Sequence, residues 1–192
     1  MDATFFFDPA CPWTWRTSRW LVAVADARGL RVEWRAFSLA ILNEGNSAPE
    51  FADVLAASSR ALRLVEALRA DGRPDDVARF YGEVGARSHD AGNPLSPKIV
   101  DAAVAAAGLG DAAAALDDER WDRAVRESHA LAYASAGPDI GSPVLTVPGA
   151  ERGMHGPILT EVPGTDDALT IWDSLLPLLH LPAFHEIKRG RH

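Results

Sequence analysis

The chain has 192 residues, 47% of them apolar, enough to bury one sizeable core, and its length favours a single domain. A net charge of −8 speaks against a nucleic-acid partner, because phosphate binding needs clustered Lys and Arg. No stretch offers the roughly eighteen apolar residues of a membrane helix, and the single cysteine, Cys11, excludes an internal disulfide framework.

The first residues run straight into Phe5, Phe6 and Phe7 with no basic region and no cleavage site, so a cytoplasmic, reducing compartment is expected. Ala3 to Phe7 reads as a buried strand that Asp8 and Pro9 end. Pro12 suits the first turn of a helix, and Trp15, Leu21, Val22 and Ala25 follow at helical spacing until Gly29 stops it. Leu30 to Phe37 alternates apolar with charged residues, the period of a strand with one more exposed face. From about Ala48 to Ala136 the pattern is helical, broken at Asp71 to Pro74, Asn93 to Pro97 and Gly108 to Gly110, with room for three to five helices. Val144 to Val147 is a β-branched run, Pro148 to Gly153 is turn material, and Met154 to Leu159 reads as the returning strand of a hairpin. A last helix is expected over about Asp166 to Leu179, followed by a basic tail of Lys188, Arg189 and Arg191 that reads as a solvated terminus. A helix between two opening strands favours a parallel pair, and the late hairpin adds antiparallel partners, so the class is α/β with a mixed sheet.

The segment Asp8-Pro9-Ala10-Cys11-Pro12-Trp13-Thr14-Trp15 puts one thiol where a strand's carboxyl end meets a helix's amino end. Unpaired N–H groups and the helix dipole favour thiolate there, so Cys11 is expected to be solvent-accessible, with a pKa below the roughly 8.5 of a free thiol. Desolvation by Trp13 and repulsion from Asp8 oppose this and are expected to lose. Taken without context, a lone cysteine is more often a small buried hydrophobe. No metal is expected, since no histidine pair has zincin spacing and one cysteine builds no thiolate cage. Nor is a tightly bound cofactor, in the absence of a Gly-rich phosphate loop.

The segments FDPACPWTWRTSRW, FSLAILNE, HDAGN, GSPVLTV and GPIL, in this order and spacing, resemble the DsbA-like oxidoreductases, most closely their actinobacterial mycothiol-dependent nitroreductase branch. The resemblance covers most of the chain. It implies one DsbA-like domain over 1–192, with a thioredoxin-like sheet from about 1–45 and 137–180 and a helical insertion over about 48–136 that packs near their junction and restricts access to Cys11. It makes Cys11 the nucleophile, Pro12 and Trp13 the intervening pair, and Pro143 a proline held in cis beside the thiol. Ser142 then offers its backbone to an extended ligand. Asn43 and His89 fall in matching segments, but a surface turn and a helix-terminal histidine explain them equally well or better.

The chain departs from the dithiol pattern at Thr14, which stands where the second cysteine belongs. Cys11 therefore has no resolving thiol of its own, and turnover needs an external low-molecular-weight thiol such as mycothiol. Thr14 is either a hydroxyl donor to a thiolate or an ordinary first-turn residue. The resemblance implies a thiol-dependent oxidoreductase acting on disulfides or on electrophilic and nitro-aromatic compounds. Two alternatives stay open: a kappa-class-like glutathione transferase or isomerase that holds a cosubstrate thiolate, and a binding protein without turnover. Whether two chains pair as a homodimer is also open.

Overall fold

A computed structural model describes residues 2–190; Arg191 of the basic tail lies outside the described residues. Strand β1 (Ala3–Phe7) leads through a short loop into helix α1 (Pro12–Arg28), which starts on Pro12 and ends where Gly29 takes the left-handed φ of 66° that closes the last turn. Strand β2 (Val32–Ala36) then pairs in parallel with β1, Phe5 opposite Trp34. It is shorter than the alternating run from Leu30 to Phe37 suggested. At its far end Phe37 donates to the Phe7 carbonyl, while the chain already turns towards helix α2 (Leu39–Leu42).

The region between the two parts of the sheet holds the helices α3 (Ala52–Ala70), α4 (Pro74–Gly85), α5 (Pro97–Ala106) and α6 (Asp122–Ala136). Prolines open α4 and α5, at the breaks the sequence marks. Strand β3 (Val144–Thr146) returns antiparallel to β1, β4 (Met154–His155) pairs with β3, and helix α7 (Thr165–Leu179) closes the fold. The sheet order is β2-β1-β3-β4. Strand β4 stops well before Leu159 because Gly156 and Pro157, joined by a cis bond, follow at once, and Pro157 has no N–H for the ladder.

Strand β1 is one of the two inner strands, and helices cover both of its faces. Phe5 and Phe7 point into the main core with Trp15, Trp20 and Leu21 of α1 and Tyr81 of α4, and Phe7 stacks on Tyr81 at 4.1 Å. Phe6 points the other way, onto Phe37, Val144 and Ala132 of α6. Each buried phenylalanine contributes about 1.5–3 kcal/mol over its exposed state, which fixes the strand carrying the Cys11 loop. The main core joins residues of the sheet, of α1 and α7 and of α3, α4 and α5. No described helix is long and apolar enough to cross a membrane.

Candidate active site

Cys11 is the residue that caps α1, with extended backbone angles (φ −86°, ψ 113°). Its side chain makes no capping bond; the thiol instead donates to the Ser142 carbonyl at 3.7 Å. Ser142 precedes Pro143, and the bond between them is cis, as the resemblance implied. Both residues are buried and lie just before β3, which the ladder with β1 brings beside the Cys11 loop.

A chain of polar groups backs the sulfur. The Asp8 N–H donates to Ser142 Oγ (3.1 Å), and Ser142 Oγ shares a hydrogen bond with Thr14 Oγ1 (2.8 Å), both side chains buried. When Ser142 donates to Thr14, the Thr14 hydrogen is left for the sulfur, which the Thr14 and Trp13 N–H groups also face. Thr14 is thus part of the sulfur's own surroundings rather than a neutral first-turn residue.

The expected exposure and acidity of Cys11 are both corrected by the structure. The residue is only 9% exposed, and burial pushes its thiol above the ordinary value, with the Asp8 charge adding to the rise. The Thr14 hydroxyl and the N–H groups of Thr14 and Trp13 pull it down, as foreseen, but desolvation outweighs them. A raised folded pKa makes the neutral thiol a stabilising form below the unfolded thiol's pKa, an advantage lost as pH rises through the folded value. Alkylation of native Cys11 by iodoacetamide is therefore expected to accelerate about tenfold per pH unit through the neutral range. Levelling off below about 8.5 would contradict this account of the site.

Asp8 organises the loop in a way the sequence showed only in part. Its carboxylate is fully buried and accepts from Ala10 N (2.8 Å), Ser58 Oγ of α3 (2.5 Å) and Leu39 N of α2 (2.6 Å). The bond to Ala10, two residues on, is the local turn an Asp-Pro pair signals; the donors from α2 and α3 left no local trace. Burial pushes the Asp8 carboxyl up, against these three hydrogen bonds.

His89 lies in a π-helical turn (Ala86–Asp90) that continues α4, and it bonds the Pro9 carbonyl through Nε2 at 2.8 Å. A carbonyl only accepts, so Nε2 carries the hydrogen, and the ring holds the loop two residues ahead of Cys11. Its pKa is lowered, chiefly by burial. Asn43 is not brought to the sulfur by any hydrogen bond: its amide donates to the Leu39 carbonyl (2.8 Å) and closes its own short helix. Pro12 is exposed and Trp13 half-buried at the head of α1, with the Arg16 guanidinium over the Trp13 ring at 5.1 Å. Thr17 ties this turn to the Pro157 carbonyl (2.8 Å), a link that sequence reading missed.

Residues 10–189 match the model of a family described as Rv2466c-like, mycothiol-dependent nitroreductase Rv2466c. The Mycobacterium tuberculosis (strain ATCC 25618 / H37Rv) protein Rv2286c is 30% identical over 192 residues, covering 97% of this chain and 81% of that protein. Among solved structures, 2-hydroxychromene-2-carboxylate isomerase superposes with a TM-score of 0.61 at 16% identity, over 93% of this chain and 96% of that one. The cytosolic disulfide reductase DsbM from Pseudomonas aeruginosa, solved with GSH, gives 0.55 at 17% identity, over 92% and 100%. These two likenesses establish the DsbA-like thioredoxin fold and nothing further.

Proposed function

The chain belongs to the mycothiol-dependent nitroreductase family, and we propose that it works as a single-thiol reductase in which Cys11 is the nucleophile and an external small thiol, of which mycothiol is the family's, completes the cycle. The observation that carries this reading is the placement of the Cys11 sulfur at the head of α1, 3.7 Å from the Ser142 carbonyl and backed by the Thr14 hydroxyl.

In the resting thiol the proton sits between Sγ and the Ser142 carbonyl. When it leaves, that carbonyl disfavours the anion, and the Thr14 hydroxyl takes over, polarised by Ser142 Oγ and the Asp8 N–H behind it. The Cys11 thiolate attacks one sulfur of a disulfide substrate, whose S–S bond breaks and whose other half leaves as a thiolate that takes a proton from solvent. A second thiol then attacks the mixed disulfide, and Cys11 returns as thiolate. With a nitro-aromatic substrate, the Cys11 thiol and one small thiol supply two electrons and two protons: one nitro oxygen leaves as water, a nitroso group remains, and the two sulfurs join as a mixed disulfide on Cys11, which a second small thiol attacks, leaving as the small-thiol disulfide and returning Cys11. Trp13 and the backbone at Ser142 and Pro143 form the surface against which substrate lies, Pro12 shapes it, and His89 fixes the loop.

A second reading has its own support. Because burial raises the Cys11 thiol above its ordinary pKa, its protonated form is also suited to donate a hydrogen bond to a cosubstrate thiolate, as a transferase or isomerase would require. The experiment is thiol-dependent consumption of a nitro-aromatic or small-disulfide substrate by wild type and Cys11→Ser. Turnover that needs both the thiol and Cys11 supports the nucleophile; turnover that survives without Cys11 overturns it.

A further inference from the structure

Arg16 stands apart from most of the chain's arginines. Arg28, Arg60, Arg63, Arg69 and Arg73 each meet a carboxylate, whereas Arg16 makes no ion pair with any described residue. Its guanidinium lies over the half-buried Trp13 ring instead. It is near the thiol's surroundings as well, for its charge reaches His89, whose ring holds Pro9 two residues before Cys11. The two acids of this region are engaged elsewhere: Asp90 Oδ1 accepts from Trp15 Nε1 at 2.7 Å, and the buried Asp8 carboxylate accepts from Ala10, Ser58 and Leu39. A guanidinium resting over an aromatic ring keeps its N–H donors available, and a guanidinium can take a carboxylate with two parallel charge-assisted hydrogen bonds.

We propose that Arg16, held on Trp13, makes the Cys11 site selective for aromatic substrates that carry a carboxylate. This deepens the reading of Cys11 as nucleophile and rests on it. The protein as a whole carries −8 and repels anions, so a preference for an anionic substrate has to come from a local cation.

Two disulfides with good leaving groups test this without any cosubstrate: 5,5′-dithiobis(2-nitrobenzoate), with a carboxylate on each ring, and the uncharged 4,4′-dithiodipyridine. Each reacts by attack of the Cys11 thiolate on one sulfur, forming a mixed disulfide and releasing a coloured thiol or thiolate. Arg16→Gln is expected to slow the carboxylated probe about tenfold, the worth of one charge-assisted pair, and to leave the neutral probe within twofold. Arg16→Lys should recover part of the loss, and raising salt should slow the carboxylated probe only when position 16 is cationic. Equal rates of Arg16→Gln and wild type with the carboxylated probe would overturn the inference. So would an equal fall with both probes, which would mean a disturbed thiol. If wild-type Cys11 reacts with neither probe in the native state, the reading of Cys11 as nucleophile fails first, an outcome that the neutral probe separates from failure of Arg16 alone.

Discussion

Cys11→Ser is expected to lower thiol-dependent reduction by a factor on the order of 10³ or more, as removal of an enzyme's nucleophile does. The substitution is small: a serine hydroxyl still fits beneath Ser142 and still donates to its carbonyl, so the hydrogen bond at 3.7 Å and the packing of the loop have a replacement. What disappears is the thiolate, since a serine hydroxyl gives up its proton only far above any working pH. Wild-type and variant melting temperatures within about 2 °C, together with the loss of turnover, would place the effect in the chemistry. If the protein merely holds a cosubstrate thiolate, serine supplies the same donor and the loss stays within about tenfold.

The largest effect on stability is expected from Gly85→Ala. Gly85 ends α4 against the face of Trp15, and a Cβ placed there would lie 2.1 Å from Trp15 Cε3 and 2.2 Å from Cζ3. The indole has little room to yield. Its Nε1–H is bound to Asp90 (2.7 Å), the Arg19 guanidinium covers it at 4.2 Å, and Tyr81 meets it edge-on at 5.5 Å. In an open helix position Gly→Ala stabilises by up to about 1 kcal/mol; here overpacking reverses the sign and costs about 3 kcal/mol. For a chain of this length that lowers the melting temperature by roughly 6–12 °C. Gly82→Ala, one turn earlier and with only Arg19 Nη1 at 3.9 Å, is the control and should be neutral or stabilising. A Gly85→Ala protein that melts with wild type would contradict the packing described around Trp15, and with it the support for the first turns of α1.

Local signals carried the framework well. Pro12 and Gly29 bracket α1 in sequence as they do in space, and the turn residues before Pro74 and Pro97 mark real helix starts. The strands were read too long because period alone does not show where a partner ends: β2 runs over Val32–Ala36, with further hydrogen bonds joining Arg31 and Phe37 to β1 and its flanks, and Pro157 removes the ladder donor that a longer β4 would need. The position of Cys11 at the head of α1 was legible from the Asp-Pro and Cys-Pro pairs. Its burial was not, for the Ser142 carbonyl that accepts its hydrogen bond lies 131 residues away, and the Asp8 charge that adds to the effect of burial is fixed by donors from α2 and α3. The helix N–H groups act on the sulfur as the sequence implied; how much desolvation opposes them is a property of the packed loop. Asn43 shows the same limit from the other side, since its amide is taken by a carbonyl of its own helix turn.

Catalysis at this site requires the Cys11 thiol to react in the folded protein despite its burial. Intact-mass spectrometry of the native protein incubated with an excess of an oxidised small thiol, mycothiol disulfide or glutathione disulfide, tests this most directly. One adduct per chain, located on Cys11, increasing with pH and removed by a reductant, is the predicted result. An unmodified mass under native conditions, with the adduct appearing only once the chain is unfolded in denaturant, would make Cys11 a structural residue and contradict the account.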